Sequence, residues 1–362
     1  MIQSLVRALK SNPLYWLLVC VPIALILVAL EASPVWVMII SGAALAPMAG
    51  LIGEATESAA GHTSPRIGGL LNATLGNSAE LIITIVAIRE GLLELVKASI
   101  TGSILGNLLL VLGMGMLAGG SRHGIQTFDR RKASGDSILL VLAVTALGVP
   151  SLFSHVAGGI TDDGSVEALS LGVAGMMVVI YILGLVYGMR LGPSHLSRSS
   201  THLVADEPLW SMRTAVGVLI AATLGTVLMS ELLVGQVEPV VSQLGVSEFF
   251  LGIVLVPIVG NVAEHMVAVK VAVKNQMSLC AEISIGSSIQ IALLVAPLLV
   301  FISLLMGNPL TLVFNNFELV ALIGAVIITA FVASDGESNW LEGASLLTLY
   351  LILGLAFFLL PQ

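Results

Sequence analysis

Apolar segments of about 20 residues recur along almost the whole chain, each closed by charge or by Gly and Pro. As a helix, such a segment spans the hydrocarbon core of a bilayer. In lipid a backbone must satisfy its own hydrogen bonds, which a helix does. About eleven segments can be drawn, near 14–30, 35–60, 64–89, 95–119, 134–154, 167–189, 211–236, 247–273, 279–306, 315–334 and 340–360. Only 10% of residues are charged and mean hydropathy is +1.05, whereas soluble domains carry about 25% charge. The expectation is an all-α integral membrane protein with about 11 transmembrane helices.

Leu14 to Leu30 is longer than the apolar core of a signal peptide and is read as a retained first helix. Cys20 and Cys280 both lie in apolar segments, far apart, and read as small buried hydrophobes. No disulfide framework, zinc spacing or haem motif is present, no cofactor is expected, and no nucleic-acid partner is called for.

Positive charge sets the orientation. With the N-terminus inside, Arg7, Lys10, Arg66, Arg122, Arg130, Arg131, Lys132, Arg190, Arg198, Arg213, Lys270 and Lys274 fall on the inner side. The outer side receives Arg89 and Lys97. The expected N-terminus is therefore cytoplasmic and, with an odd helix count, the C-terminus extracellular.

Sliding the chain against itself by about 184 residues superposes Gly76 on Gly260, Asn77 on Asn261 and Glu80 on Glu264. The same shift places Gly102 on Gly286 and Ser103 on Ser287. The chain then divides into a first helix (1–33), a repeat A of five helices (34–190), a connection (191–210) and a repeat B of five helices (211–362). The signature stretches lie around 69–113 and 252–303. Repeats of five helices enter the membrane with opposite topology, an architecture of secondary transporters that places substrate near the midplane.

The repeated motif, G-N-x-x-E, carries the chemistry. Asn77 and Glu80 share a helix face, as do Asn261 and Glu264. The expected pseudo-two-fold brings both faces together, joining two carboxylates and two amides. Such a cluster of hard oxygens suits calcium. Gly76 and Gly260 permit close helix approach or local unwinding that frees carbonyls, and Pro257 is expected to break the second helix. Facing carboxylates without a cation repel and lose hydration, so at least one proton is held. Protons and a divalent cation then compete for the same groups, and two protons against one divalent ion keep the site neutral.

The following helices supply candidate ligands: Ser103 and Asn107 on one face, Ser287 and Gln290 on another. A looser acidic set, Glu54, Glu57, Glu231 and Glu238, reads either as an access path or as helix-end solvation, and His265 as a proton relay or a locally satisfied imidazole. Glu318 and Glu282, near helix starts, read as interfacial.

The stretches GLLNATLGNSAELI (Gly69 to Ile82) and GSILGNLLLVLG (Gly102 to Gly113) resemble the first signature repeat of the calcium/proton exchangers of the calcium/cation antiporter superfamily. PIVGNVAEH (Pro257 to His265) and GSSIQIAL (Gly286 to Leu293) resemble the second. The resemblance implies that Glu80 and Glu264 are the central carboxylates. It implies that Asn77, Asn261, Ser103, Asn107, Ser287 and Gln290 line the cation pocket, with gating helices moving around a fixed core. Sodium/calcium relatives carry a G-T-S-x-P-E motif; here Asn replaces Thr and that Pro is absent, which favours proton coupling. The connection holds only Asp206 and Glu207 where relatives often carry a longer acidic helix. Without the long N-terminal extension of vacuolar relatives, the expected location is a prokaryotic plasma membrane.

The expected function is therefore export of calcium against inward proton flow, with the bilayer as setting and a homo-oligomer left open. Alternatives are a sodium-coupled or broader divalent exchanger, a calcium channel, and a non-transporting sensor. No intramembrane enzyme motif stands out.

Overall fold

The computed structural model describes residues 13–157, 163–190 and 209–360. Asp206 and Glu207 of the central connection lie outside the described residues. The first half comprises α1 (Pro13–Ala29), α2 (Pro34–Gly61), α3 (Pro65–Leu75), α4 (Ser78–Arg89), α5 (Leu93–His123), α6 (Arg130–Ala157) and α7 (Asp163–Arg190). The second comprises α8 (Met212–Val234), α9 (Val237–Leu244), α10 (Glu248–Val273), α11 (Met277–Met306), α12 (Asn316–Val332) and α13 (Trp340–Leu359). Among the described residues the strands are two short ones, β1 (Gln126–Thr127) and β2 (Glu337–Ser338), paired antiparallel. Among the described residues, eight helical segments are long and apolar enough to span a membrane, with α1 and α12 as shorter apolar helices.

Two departures from the sequence reading bear on the site. The expected single span 64–89 is two helices, interrupted at Gly76 and Asn77: Asn77 leaves the helical region at φ −98°, ψ 25° and starts α4 as its N-cap. The second motif stays helical: Pro257 stands near the start of an α-helical stretch that runs on through Gly260, Asn261 and Glu264. The irregularity there is a π turn, Leu251–Leu255, immediately before it. Further π turns occupy Gly106–Val111 in α5 and Ile291–Val295 in α11, positions related by the same shift of about 184. Such turns inside α-helices gather at functional sites.

Two compact units share the chain. The first takes residues 1–90, 185–248 and 258–263; the second takes 91–184, 249–257 and 264–362. Within the first unit, α2 and α8 pack along their lengths through small residues, Gly42 against Leu233 and Gly225 against Met48. At one end of α2, Ser58 and His62 grip the backbone of buried Trp210, which Ser58 meets at both N–H and C=O.

Within the second unit α5 is the central helix, buried over most of its length. Its Gly102 lies against the π turn of α10: a Cβ there would stand 2.1 Å from the Ile253 carbonyl oxygen. A side chain at Gly102 would also meet the Pro257 ring, so glycine allows the two helices this close approach. The extended segment before α12 is held by hydroxyls: Ser151 donates to Leu312 and accepts from Phe314, Ser170 accepts from Leu312, and Ser303 accepts from Leu310. These bonds satisfy backbone groups that no regular element pairs.

Candidate cation site

In the first unit the two G-N-x-x-E motifs touch. Glu80, in the first turn of α4 and 3% exposed, accepts a short hydrogen bond at Oε1 from the Asn261 amide of α10. A carboxylate in a membrane interior costs about 3 kcal/mol or more, and an amide donor offsets part of that. The approach needs glycine: a Cβ on Gly260 would stand 2.9 Å from the Glu80 Cγ. Thr84, one turn along, donates to the Glu80 backbone carbonyl at 2.7 Å and pins the helix below the carboxylate. Asn77 is buried at the break between α3 and α4, beside Gly76, which caps α3.

In the second unit Glu264 accepts at Oε2 from the Ser287 hydroxyl at 3.0 Å. Ser103, 2% exposed, lies in α5, and Asn107, 1% exposed, lies inside its π turn. The Asn107 amide nitrogen has no hydrogen-bond partner among the described residues. A half-turn of the amide would present its oxygen in the same place. Gln290 closes the α-helical part of α11 just before its π turn. Among the described residues no three His, Cys, Asp or Glu side chains cluster closely enough to hold a metal ion. A cation taken by Glu80 or Glu264 would thus draw its other ligands from amide, hydroxyl or backbone oxygens, which suits a hard divalent ion.

The looser residues fall into place unevenly. Glu54 and Glu57 are partly buried in the last turns of α2, and Glu238 is exposed at the start of α9. Glu231, at the end of α8, pairs with Arg89 at the end of α4, 2.9 Å away. His265 is 7% exposed, next to Glu264. Glu282 forms an ion pair with Lys132 of α6. Glu318, expected only at a helix start, is 2% exposed and accepts from Thr101 of α5. The signal was disguised, since Asn315 and Glu318 spell an ordinary helix start and Thr101 lies far away in sequence.

Acid–amide motifs set on interrupted and π-widened apolar helices fit a polytopic membrane protein of the ion-transport class. The family described as sodium/calcium exchanger protein matches residues 33–189 and 214–359. The Ca2+/H+ antiporter of Aphanothece halophytica is 40% identical over 368 residues, covering 97% of this chain and 98% of the relative. The Ca2+/H+ antiporter ChaA of Bacillus subtilis (strain 168) is 42% identical over 316 residues, covering 86% and 89%. The solved structure of native YfkE superposes with a TM-score of 0.84 at 38% identity, covering 96% of this chain and 100% of that one. The chain belongs to the sodium/calcium exchanger protein family.

Proposed function

We propose that this protein is a secondary antiporter that exports calcium from the cytoplasm in exchange for protons, by alternating access. The observation that carries the reading is the bond between motifs, Asn261 to Glu80, across a contact only Gly260 allows. The names of the relatives, Ca2+/H+ antiporters, support the same choice of ions. Glu80 and Glu264 are the exchanging carboxylates. In one state each holds a proton; in the other a calcium ion takes the place of those protons, with Asn77, Asn261, Ser103, Asn107, Ser287, Gln290 and carbonyls near Gly76 and Gly260 completing its shell.

Two protons against one calcium leave the buried site neutral in both states, which avoids stranding charge in lipid. The helices after α1 form two inverted repeats, 34–190 and 211–362, with the N-terminus cytoplasmic and the C-terminus outside. Glu54, Glu57 and Glu238 lie along the access path, with Glu231 tied to Arg89 at its edge.

The competition is directly measurable. Adding calcium to purified protein in weakly buffered detergent solution is expected to release protons, and E80Q or E264Q to diminish or remove that release. Calcium binding with no proton release from the wild-type protein would overturn the shared-site mechanism.

A further inference from the structure

Glu318 is a carboxylate that the proposed exchange mechanism does not use, yet it is buried to 2% exposure. Its two oxygens are both engaged. Oε2 accepts from the Asn315 backbone N–H at 2.9 Å, and Oε1 accepts from the Thr101 hydroxyl at 3.0 Å. Asn315 in turn accepts from the Glu318 N–H, which closes a reciprocal capping box.

The same box is built a second time at the start of α13, from Asn339 and Glu342. There the glutamate stays partly exposed and the box does its work without a tertiary partner hydroxyl. Capping alone therefore does not require burying Glu318. What distinguishes it is the bond to Thr101.

Thr101, with no exposed surface, precedes two consequential residues of α5. Gly102 rests on the Ile253 carbonyl, and Ser103 is a proposed calcium ligand. Asn107 comes next, inside the π turn. α5 is thus gripped at consecutive residues by two elements, α12 through Thr101 and α10 through Gly102, just before its ligands branch off. The far end of this brace is firm, because Ser151, Ser170 and Ser303 fix the segment leading into α12.

We propose that Glu318 is a positioning residue of the cation site: through Thr101 it sets the rotation of α5 that presents Ser103 and Asn107. This rests on the proposed calcium/proton exchange for those two ligands, but the brace can be tested apart from it. T101V removes the hydroxyl with little change in volume, T101S restores it, and E342Q weakens the matching cap on α13. In vesicles, T101V and E318Q are expected to raise the KM for calcium about five-fold while the maximal rate stays within about two-fold, as for a misplaced ligand. T101S is expected to return KM toward the wild-type value, and E342Q to leave it unchanged. Amide hydrogen exchange over 93–105 is expected to quicken in T101V and not in E342Q.

An unchanged KM in T101V, or an equal rise in E342Q, would overturn the proposal. Loss of the fold in T101V would do so too, since the bond would then be a general strut. If the wild-type protein moves no calcium, the functional reading falls, and exchange of the 93–105 amides still decides the brace: no quickening in T101V refutes it.

Discussion

A single glycine hydrogen does much of the selecting at the residue scale. Gly260 is where one motif's backbone meets the other motif's carboxylate, with space for hydrogen and not for a methyl group. G260A is expected to destabilise the protein by about 1–3 kcal/mol, as overpacking of a tight contact does, and to weaken calcium binding. Thermal unfolding in detergent, with and without calcium, reads both effects. A variant with wild-type melting and an unaltered calcium shift would show that the contact is loose. E80Q and E264Q keep the shape of the side chain and remove the exchangeable charge, so each is expected to fold normally and to reduce exchange to background. Both residues stand out in the sequence because a carboxylate within an apolar run is costly and so conspicuous. Glu318 was not legible: three residues past an Asn it looks like a solvated helix start, and its partner Thr101 comes from a distant helix.

Departures from the ideal α-helix position the proposed ligands at the scale of elements. The first motif sits at a break between α3 and α4, whereas the second comes after a π turn in α10. Pro257 was a misleading cue for the break: it stands just after the π turn, and the helix runs on through the motif. The π turns themselves are silent in a sequence, since widening a helix by one residue leaves its apolar character intact. Deleting Leu108, inside the turn Gly106–Val111, would restore regular α-helical winding and rotate Asn107 relative to the C-terminal half of α5. That deletion is expected to preserve helical content by circular dichroism and to abolish transport; transport at the wild-type rate would mean that the π turn is incidental. S151A removes the hydroxyl that serves Leu312 and Phe314, and is expected to cost about 1–3 kcal/mol in thermal unfolding.

For the molecule as a whole, the membrane class, the helix order and most helix bounds are set by hydropathy, because segment length is dictated by bilayer thickness. The repeat was legible because G-N-x-x-E recurs at one shift within otherwise interchangeable apolar sequence. The motifs were expected to face each other, but the particular pairing was not legible, since the Asn261 to Glu80 bond joins one member of each pair and not two identical partners. In the proposed topology the Lys- and Arg-rich loops are cytoplasmic, so cysteines introduced at 124 and 335 are expected to react with a membrane-impermeant thiol reagent only when the cytoplasmic side is opened, and one at 91 from outside. Labelling at 124 and 91 from the same side would contradict the proposed topology.

Calcium uptake into sealed vesicles, driven by an imposed pH gradient with sodium absent, tests the central claim most directly. Purified wild-type protein is expected to accumulate calcium in an acid-inside vesicle and to stop when the gradient is collapsed, while E80Q and E264Q stay at background. Uptake that ignores the proton gradient and tracks a sodium gradient, or uptake that persists in either glutamine variant, would contradict the account.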